Sequence, residues 1–91
     1  MTMAVIYPGI FQVLKRFPEQ REEIVKCFND NDFFPALCED YMQCSEALQF
    51  WSRKDSDESL QRKAEYEELL HSLEVEILQY VKNDLLINED G

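Results

Sequence analysis

The sequence predicts an all-α protein whose main element is a long antiparallel αα-hairpin, preceded by one or two short N-terminal helices. Two long segments each carry apolar residues at alternating steps of three and four, a spacing that places them on one side of a helix. The polar residues 52–57 between these segments are too few for anything but a chain reversal. Only two glycines and three prolines occur among the 91 residues, which also favours helices.

The apolar rows of the two segments are the predicted seam of the hairpin, the line along which its helices meet. Two such rows joined by a short turn can bury their apolar side chains away from water by packing against each other. Tyr41 and Leu73 lie in the middle of their rows, so we expect both side chains to be buried in the seam. The first row is Phe34, Leu37, Tyr41, Cys44, Leu48 and Trp51, and the second is Tyr66, Leu70, Leu73, Ile77 and Tyr80.

We predict one helical domain over residues 1–91, because a chain of this length holds at most one. Residues 1–31 are expected to contain the short N-terminal helices, residues 33–53 and 56–83 the two hairpin helices, and residues 84–91 a tail. A thin hairpin in so small a chain buries only part of its apolar surface. It therefore needs further cover, either from its own N-terminus or from a second copy.

Proline and apolar spacing define the N-terminal helices. Pro18 disfavours helix at Phe17, so the first short helix should end there and a second should begin at Pro18. We expect residues 1–7 to be extended or frayed. The predicted apolar faces are Ile10, Phe11, Leu14 and Phe17 on the first short helix, and Ile24, Val25 and Phe28 on the second.

Polar side chains mark where the hairpin helices begin. Asn31 or Asp32 should accept hydrogen bonds from the free backbone N–H groups at the start of the first. For the second, Asp55 and Glu58 have the three-residue offset of a capping pair.

The chain is strongly acidic, with a formal net charge of -10 and a sequence pI near 4.4. Phosphate backbones and anionic lipids would repel it, so we expect neither a nucleic-acid nor a membrane partner. The charge indicates either simple solubility, or a basic partner surface or mimicry of nucleic acid. Cys27, Cys38 and Cys44 are odd in number and lack CxxC spacing. With no signal-peptide pattern at the N-terminus, they predict a cytoplasmic protein.

A Phe-Pro-Glu segment, a polar break and the hairpin spacing follow one another over residues 17–81. The residues concerned are Phe17, Pro18, Glu19, Ile24, Asn29 to Asp32, Phe34, Leu37, Tyr41, Leu48, Leu73, Glu76 and Ile77. In this order they resemble the small YdcH-like helical-hairpin proteins of bacteria, which similarly open on a Phe-Pro-Glu segment. The resemblance implies a bacterial αα-hairpin of unsettled biochemical role, and it carries over no catalytic residue.

The strongest candidate for a metal site is the pair Glu68 and His71, which has the Glu-x-x-His spacing of di-iron four-helix proteins. Such a site needs a second motif and two more carboxylates, which a dimer could supply with Glu39, Asp40 or Glu46. At about 100° per residue, however, His71 lies about 140° and Glu68 about 200° from the centre of the seam. We therefore predict a solvated helix face, with no metal and no cofactor.

A cysteine nucleophile would need a neighbouring base, and His71 is the only histidine. Cys38 or Cys44 could pair with it across the hairpin, but no side chain is placed to orient the imidazole, and a thin hairpin offers no cleft. Phe50, Trp51 and the four tyrosines could form an aromatic ligand patch, although such residues more commonly pack helix seams and ends. We predict no catalytic residue and no enzyme activity.

Several apolar residues lie off the seam. Val75 and Leu78 point about 120–180° away from it, and Met42 and Phe50 lie off the first row. A second apolar face on a thin hairpin is what self-association needs, so we expect a dimer with a four-helix core. The sequence thus indicates an acidic protein–protein interaction module that self-associates through helix faces. The alternatives are an acidic helical chaperone or adaptor for a basic or secreted partner, and a carboxylate–histidine metal-binding bundle.

Overall fold

Helices make up almost the whole of the described chain, and the two long ones lie side by side as a hairpin. The computed structural model describes the backbone of residues 8–89 and the side chains of residues 8–83, so the segment 1–7 lies outside it. Between residues 8 and 89 there is no strand, which confirms the all-α prediction. The helices are α1 (Gly9–Arg16), α2 (Arg21–Asp30), α3 (Phe34–Ser52) and α4 (Asp57–Glu89), with a 3₁₀ turn at Pro18–Gln20.

The hydrophobic core lies at the end of the hairpin away from its turn. There α1 packs mainly on α3, and α2 packs mainly on α4. Burial decreases toward the turn, where Leu48, Trp51, Tyr66 and Leu70 are only half-buried. The buried core residues are Val13, Ile24, Cys27, Phe34, Leu37, Cys38, Tyr41, Ile77 and Val81.

The two predicted rows do meet along the seam. The rings of Phe34 and Tyr80 pack edge to face, with their centroids 6.0 Å apart. Nearer the turn, Cys44 Sγ donates to the carbonyl oxygen of Tyr66 across 3.4 Å. Tyr41 is buried as expected, whereas Leu73 is only half-buried, because it faces the open side of the hairpin.

The predicted faces of α1 and α2 are confirmed except at Phe11 and Val25, because their other five members lie in the core or pack against it. Val13 is fully buried and Phe11 is 65% exposed, because α1 meets α3 along its Gly9–Val13 side and Phe11 lies about 160° around the helix from Val13. In α2, Cys27 is buried beside Ile24. Which side of a short amphipathic helix is buried thus depends on where it docks.

Gly9 brings α1 closer to α3 than any side chain would allow. Its amide donates to Glu39 Oε2 at 2.6 Å, so a carboxylate from α3 satisfies a free N–H at the start of α1. A Cβ on Gly9 would overlap the backbone carbonyl of Cys38 and the carboxylate of Glu39. A backbone carbonyl inside a helix cannot move aside, so this contact requires glycine.

The cap predicted for α3 is confirmed at Asn31. Its Oδ1 accepts from the amides of Phe33 at 2.8 Å and Phe34 at 3.1 Å. Pro35 follows in the first turn of α3, where its missing N–H costs little. The position at which α3 begins is therefore determined by local residues, Asn31 and Pro35.

The cap predicted for α4 at Asp55 and Glu58 is wrong by one position. Ser56 and Ser59 cap each other instead: the Ser56 amide donates to Ser59 Oγ at 2.9 Å, and the Ser59 amide donates to Ser56 Oγ at 3.1 Å. The Ser59 hydroxyl also donates to the Ser56 carbonyl at 2.7 Å and is buried. The predicted pair Asp55 and Glu58 and the observed pair Ser56 and Ser59 have the same spacing. A small hydroxyl, however, fits the buried side of the turn better than a charged carboxylate.

The predicted tail at 84–91 is also wrong for most of its length, because α4 continues to Glu89. No glycine or proline interrupts residues 84–90, and either residue would disfavour helix there. Residues 90 and 91 lie outside the described part of the chain.

Replacement Gly9→Ala should lower the free energy of unfolding by about 1–3 kcal/mol, the usual effect of overpacking. Helix propensity alone would give the opposite sign, because alanine in a helix is favoured over glycine by about 1 kcal/mol. Denaturant unfolding monitored by circular dichroism measures the change. Gln12→Ala, at an exposed position of the same helix, is the matched control and should have little effect. A more stable Gly9→Ala variant would mean that α1 does not dock this closely.

Replacement Ile77→Ala should cost about 2–5 kcal/mol, because Ile77 is fully buried in the core. Leu73→Ala, one turn earlier in the same row, should cost clearly less, because Leu73 is only partly buried and faces the open side of the hairpin. The same denaturant measurement compares the two. Equal losses would contradict the uneven burial along the seam.

Candidate interaction surface

A hydrogen-bonded cluster around Glu74 joins three helices at the middle of the hairpin. Tyr41 OH donates to Glu74 Oε2 at 2.8 Å, and Arg16 Nε donates to the same oxygen at 2.9 Å. The Glu74 side chain is 15% exposed. Its carboxylate in α4 therefore accepts hydrogen bonds from a phenol in α3 and a guanidinium in α1 in place of most of its hydrating water. The cluster fixes where α1 lies on the hairpin.

Burial suppresses the acidity of two side chains near this cluster. For Tyr41, burial and then the hydrogen bond to the Glu74 carboxylate raise the pKa above its ordinary value, so the phenol stays neutral. For Cys38, burial raises the pKa of the thiol to about 12, with Cys27 and Glu39 nearby adding to the effect. Burial also raises the pKa of Cys44. All three cysteines are buried. Cys38 and Cys44, whose pKa values are raised, are poor nucleophiles because the thiolate is the reactive form.

The structure does not bring the residues considered for catalysis or metal binding together. His71 is exposed on α4, whereas Cys38 and Cys44 are buried, so the histidine is not placed as their base. Glu68 is exposed as well, as its angle to the seam predicted. Among residues 8–83, no group of three or more His, Cys, Asp or Glu side chains is arranged to hold a metal ion.

The aromatic residues at the turn pack on one another. The rings of Phe50 and Trp51 meet edge to face at 5.1 Å, and Lys54 Nζ lies 4.8 Å from the centre of the Phe50 ring. These contacts pack the C-terminal end of α3 against the start of the turn.

An open groove of about 350 Å³ runs between α3 and α4 in the turn half of the hairpin. Cys44 and Ala47 line its α3 side with Asp40 and Gln43. Tyr66, Leu69 and Leu73 line its α4 side, and Leu69 is 48% exposed. Cys44 lies about 120° around α3 from Cys38, where α1 docks, so the N-terminal helices leave this side of the seam open.

A second apolar surface lies on the other side of α4. We call it the outer face: its members recur at steps of four, seven, four and three, and all are exposed. The largest are Leu60, Val75 and Leu78, which are 66%, 43% and 39% exposed. The outer face consists of Leu60, Ala64, His71, Val75 and Leu78.

Sequence reasoning found the outer face through Val75 and Leu78 but missed the groove. Leu69 follows Tyr66 by three residues and precedes Leu73 by four, so it belongs to a row beside the seam. That spacing was the available signal. The spacing could not show that no other helix covers this row, because that depends on the side of the hairpin on which α1 docks.

No helix in the described part of the chain is both long enough and apolar enough to cross a membrane. Comparisons with protein-family models, with curated proteins and with solved structures found no match to this chain. The resemblance to the YdcH-like hairpins therefore stays a prediction.

The chain should lose stability at alkaline pH, and Tyr41 should account for part of the loss. Its pKa is raised in the fold, so above about pH 10 the unfolded chain gives up a phenol proton that the folded chain keeps. The stabilisation is therefore complete below that pH and decreases as the pH rises. Cys38 contributes with the same sign, starting near about pH 8.5.

The measurement is the free energy of unfolding at neutral and at alkaline pH, for the wild type and for Tyr41→Phe. At neutral pH the variant should be less stable by about 1.5–3 kcal/mol, the usual worth of a hydrogen bond to a charged group. Its further loss at alkaline pH should be smaller than that of the wild type. Parallel pH profiles would mean that Tyr41 does not hold its proton in the fold.

Proposed function

We propose that this protein is an interaction module that recognises other helices and self-associates through the outer face of α4. The observation that carries the proposal is the row of exposed apolar side chains Leu60, Val75 and Leu78, opposite the seam. Isolated exposed leucines are common, but a row at near-heptad spacing along one long helix is typical of a helix–helix contact. Two copies of α4 packed antiparallel would bury both rows in a four-helix arrangement.

The balance of energies favours a weak dimer. Six large apolar side chains become available from two copies. Full burial of an exposed one contributes about 1.5–3 kcal/mol, and because these are 39–66% exposed, about half of that remains to be gained from each. The entropic cost of association is about 4–15 kcal/mol, which is of the same order. Two chains of net charge -10 also repel each other, and Glu67, seven residues after Leu60, lies within the outer face with Glu68 beside it. Because salt screens this repulsion, association should strengthen as the ionic strength rises.

Sedimentation equilibrium at about 0.1 M and about 1 M salt tests the proposal, since the screening length falls from about 10 Å to about 3 Å between them. The wild type should shift toward dimer at the higher salt. Leu78→Glu should be monomeric under both conditions, because it places a charge in the apolar row.

Leu69→Glu is the matched control. Leu69 is exposed on the same helix and the charge change is the same, but at nine positions from Leu78 it lies about 180° around α4. This variant should dimerise like the wild type. A wild-type monomer at about 50 μM in high salt, or equal effects of the two variants, would contradict association through the outer face.

A further inference from the structure

We propose that the groove between α3 and α4 binds a basic amphipathic helix of another protein. The proposal extends the interaction function to a second surface of α4 and does not depend on whether the chain dimerises. It follows from the shape of the groove, the residues along its floor and the charges along its rim.

The groove has the shape and the chemistry of a helix-binding site. Its floor is formed by the seam itself, with Cys44 and Ala47 facing Leu69 and Leu73. The lining residues span positions 40–47 of α3 and 66–73 of α4, about 10 Å along each helix, which equals about two turns of a partner helix. Such a helix would add a third member to the hairpin, with apolar anchors at steps of three and four.

The rim of the groove is acidic. Glu65 and Glu76 lie four residues before and seven residues after Leu69, so they flank it on the same side of α4, and Asp40 lines the opposite wall. Arg62 offsets Glu65 through a pair at 3.2 Å, while Asp40 and Glu76 add negative charge in a chain of net charge -10. An apolar floor between carboxylates matches a helix with leucine-like anchors and flanking lysine or arginine.

Charge also favours a basic helix over a second copy of this chain as the occupant of the groove. A second copy brings another net charge of -10. Its exposed apolar row on α4 has Glu67 within it and Glu68 beside it, which would meet the carboxylates of the groove. The groove and the outer face are therefore suited to different partners.

The probe is a synthetic 18-residue helix with leucines on one side and lysines elsewhere, labelled for fluorescence anisotropy and added to the full chain. One control peptide has the same composition in scrambled order, and another has glutamate in place of lysine. The amphipathic basic peptide should bind saturably at one per chain, and binding should weaken with salt. Equal binding of the scrambled peptide would show non-specific charge attraction and would overturn the proposal, as would equal binding of the acidic peptide.

Three variants locate the binding site. Leu69→Glu adds a negative charge, so charge attraction alone predicts tighter binding of a basic peptide; loss of the apolar anchor predicts weakening by about tenfold or more. We expect the weakening, and we expect Leu78→Glu to bind like the wild type. The paired change Asp40→Asn with Glu76→Gln should weaken binding several-fold at low salt while leaving the fold intact, because both side chains are exposed. Circular dichroism checks the fold of each variant.

Three results would overturn the groove as the site: unchanged or tighter binding to Leu69→Glu, equal weakening by Leu78→Glu, or dissociation of the dimer by Leu69→Glu alone. The last would assign the groove to a second copy. A wild-type chain that is monomeric yet binds the peptide with the expected variant pattern would contradict only the self-association. The two proposals can therefore fail independently.

Discussion

The four helices differ too much in length to cover one another, and the other features of the structure follow from this mismatch. α1 and α2 have eight and ten residues, whereas α3 and α4 have 19 and 33. At about 1.5 Å per residue, the short helices reach about 12–15 Å along a hairpin whose longer arm measures about 50 Å. They complete a core at one end and leave the turn half two helices thick. The groove and the outer face are the apolar surfaces that remain.

Two carboxylates show that acidity has a structural use in this chain. Glu39 accepts from the amide of Gly9 and holds the start of α1, while Glu74 holds its end through Arg16 and the seam through Tyr41. Both are anchored to partners that lie 30 or more positions away in sequence. The short helix is thus fixed at both ends by charge-assisted contacts. Most of the remaining acidic side chains are exposed.

The seam could be predicted because periodicity is a property of one helix, and both rows are long enough to show it. The Asn31 cap could be predicted because a cap needs only local residues. The docking of α1 could not: the roles of Gly9, Glu39 and Glu74 depend on contacts between distant parts of the chain. The groove was missed for the same reason, since Leu69 has the same spacing whether or not a helix covers it. At the turn, Asp55 and Ser56 carry equivalent spacing signals, and only burial distinguishes them.

The uneven cover also gives the hairpin two ends with different resistance to opening. Near Ile77 and Phe34, separating the helices exposes a core to which all four contribute, so those backbone amides are released only by global unfolding. Near the turn, opening breaks a two-helix contact and the reciprocal serine cap. Local fraying there costs only a fraction of the whole stability, and amide hydrogen exchange should be correspondingly faster. We therefore expect the separation of α3 and α4 to vary more readily at the turn than at the core.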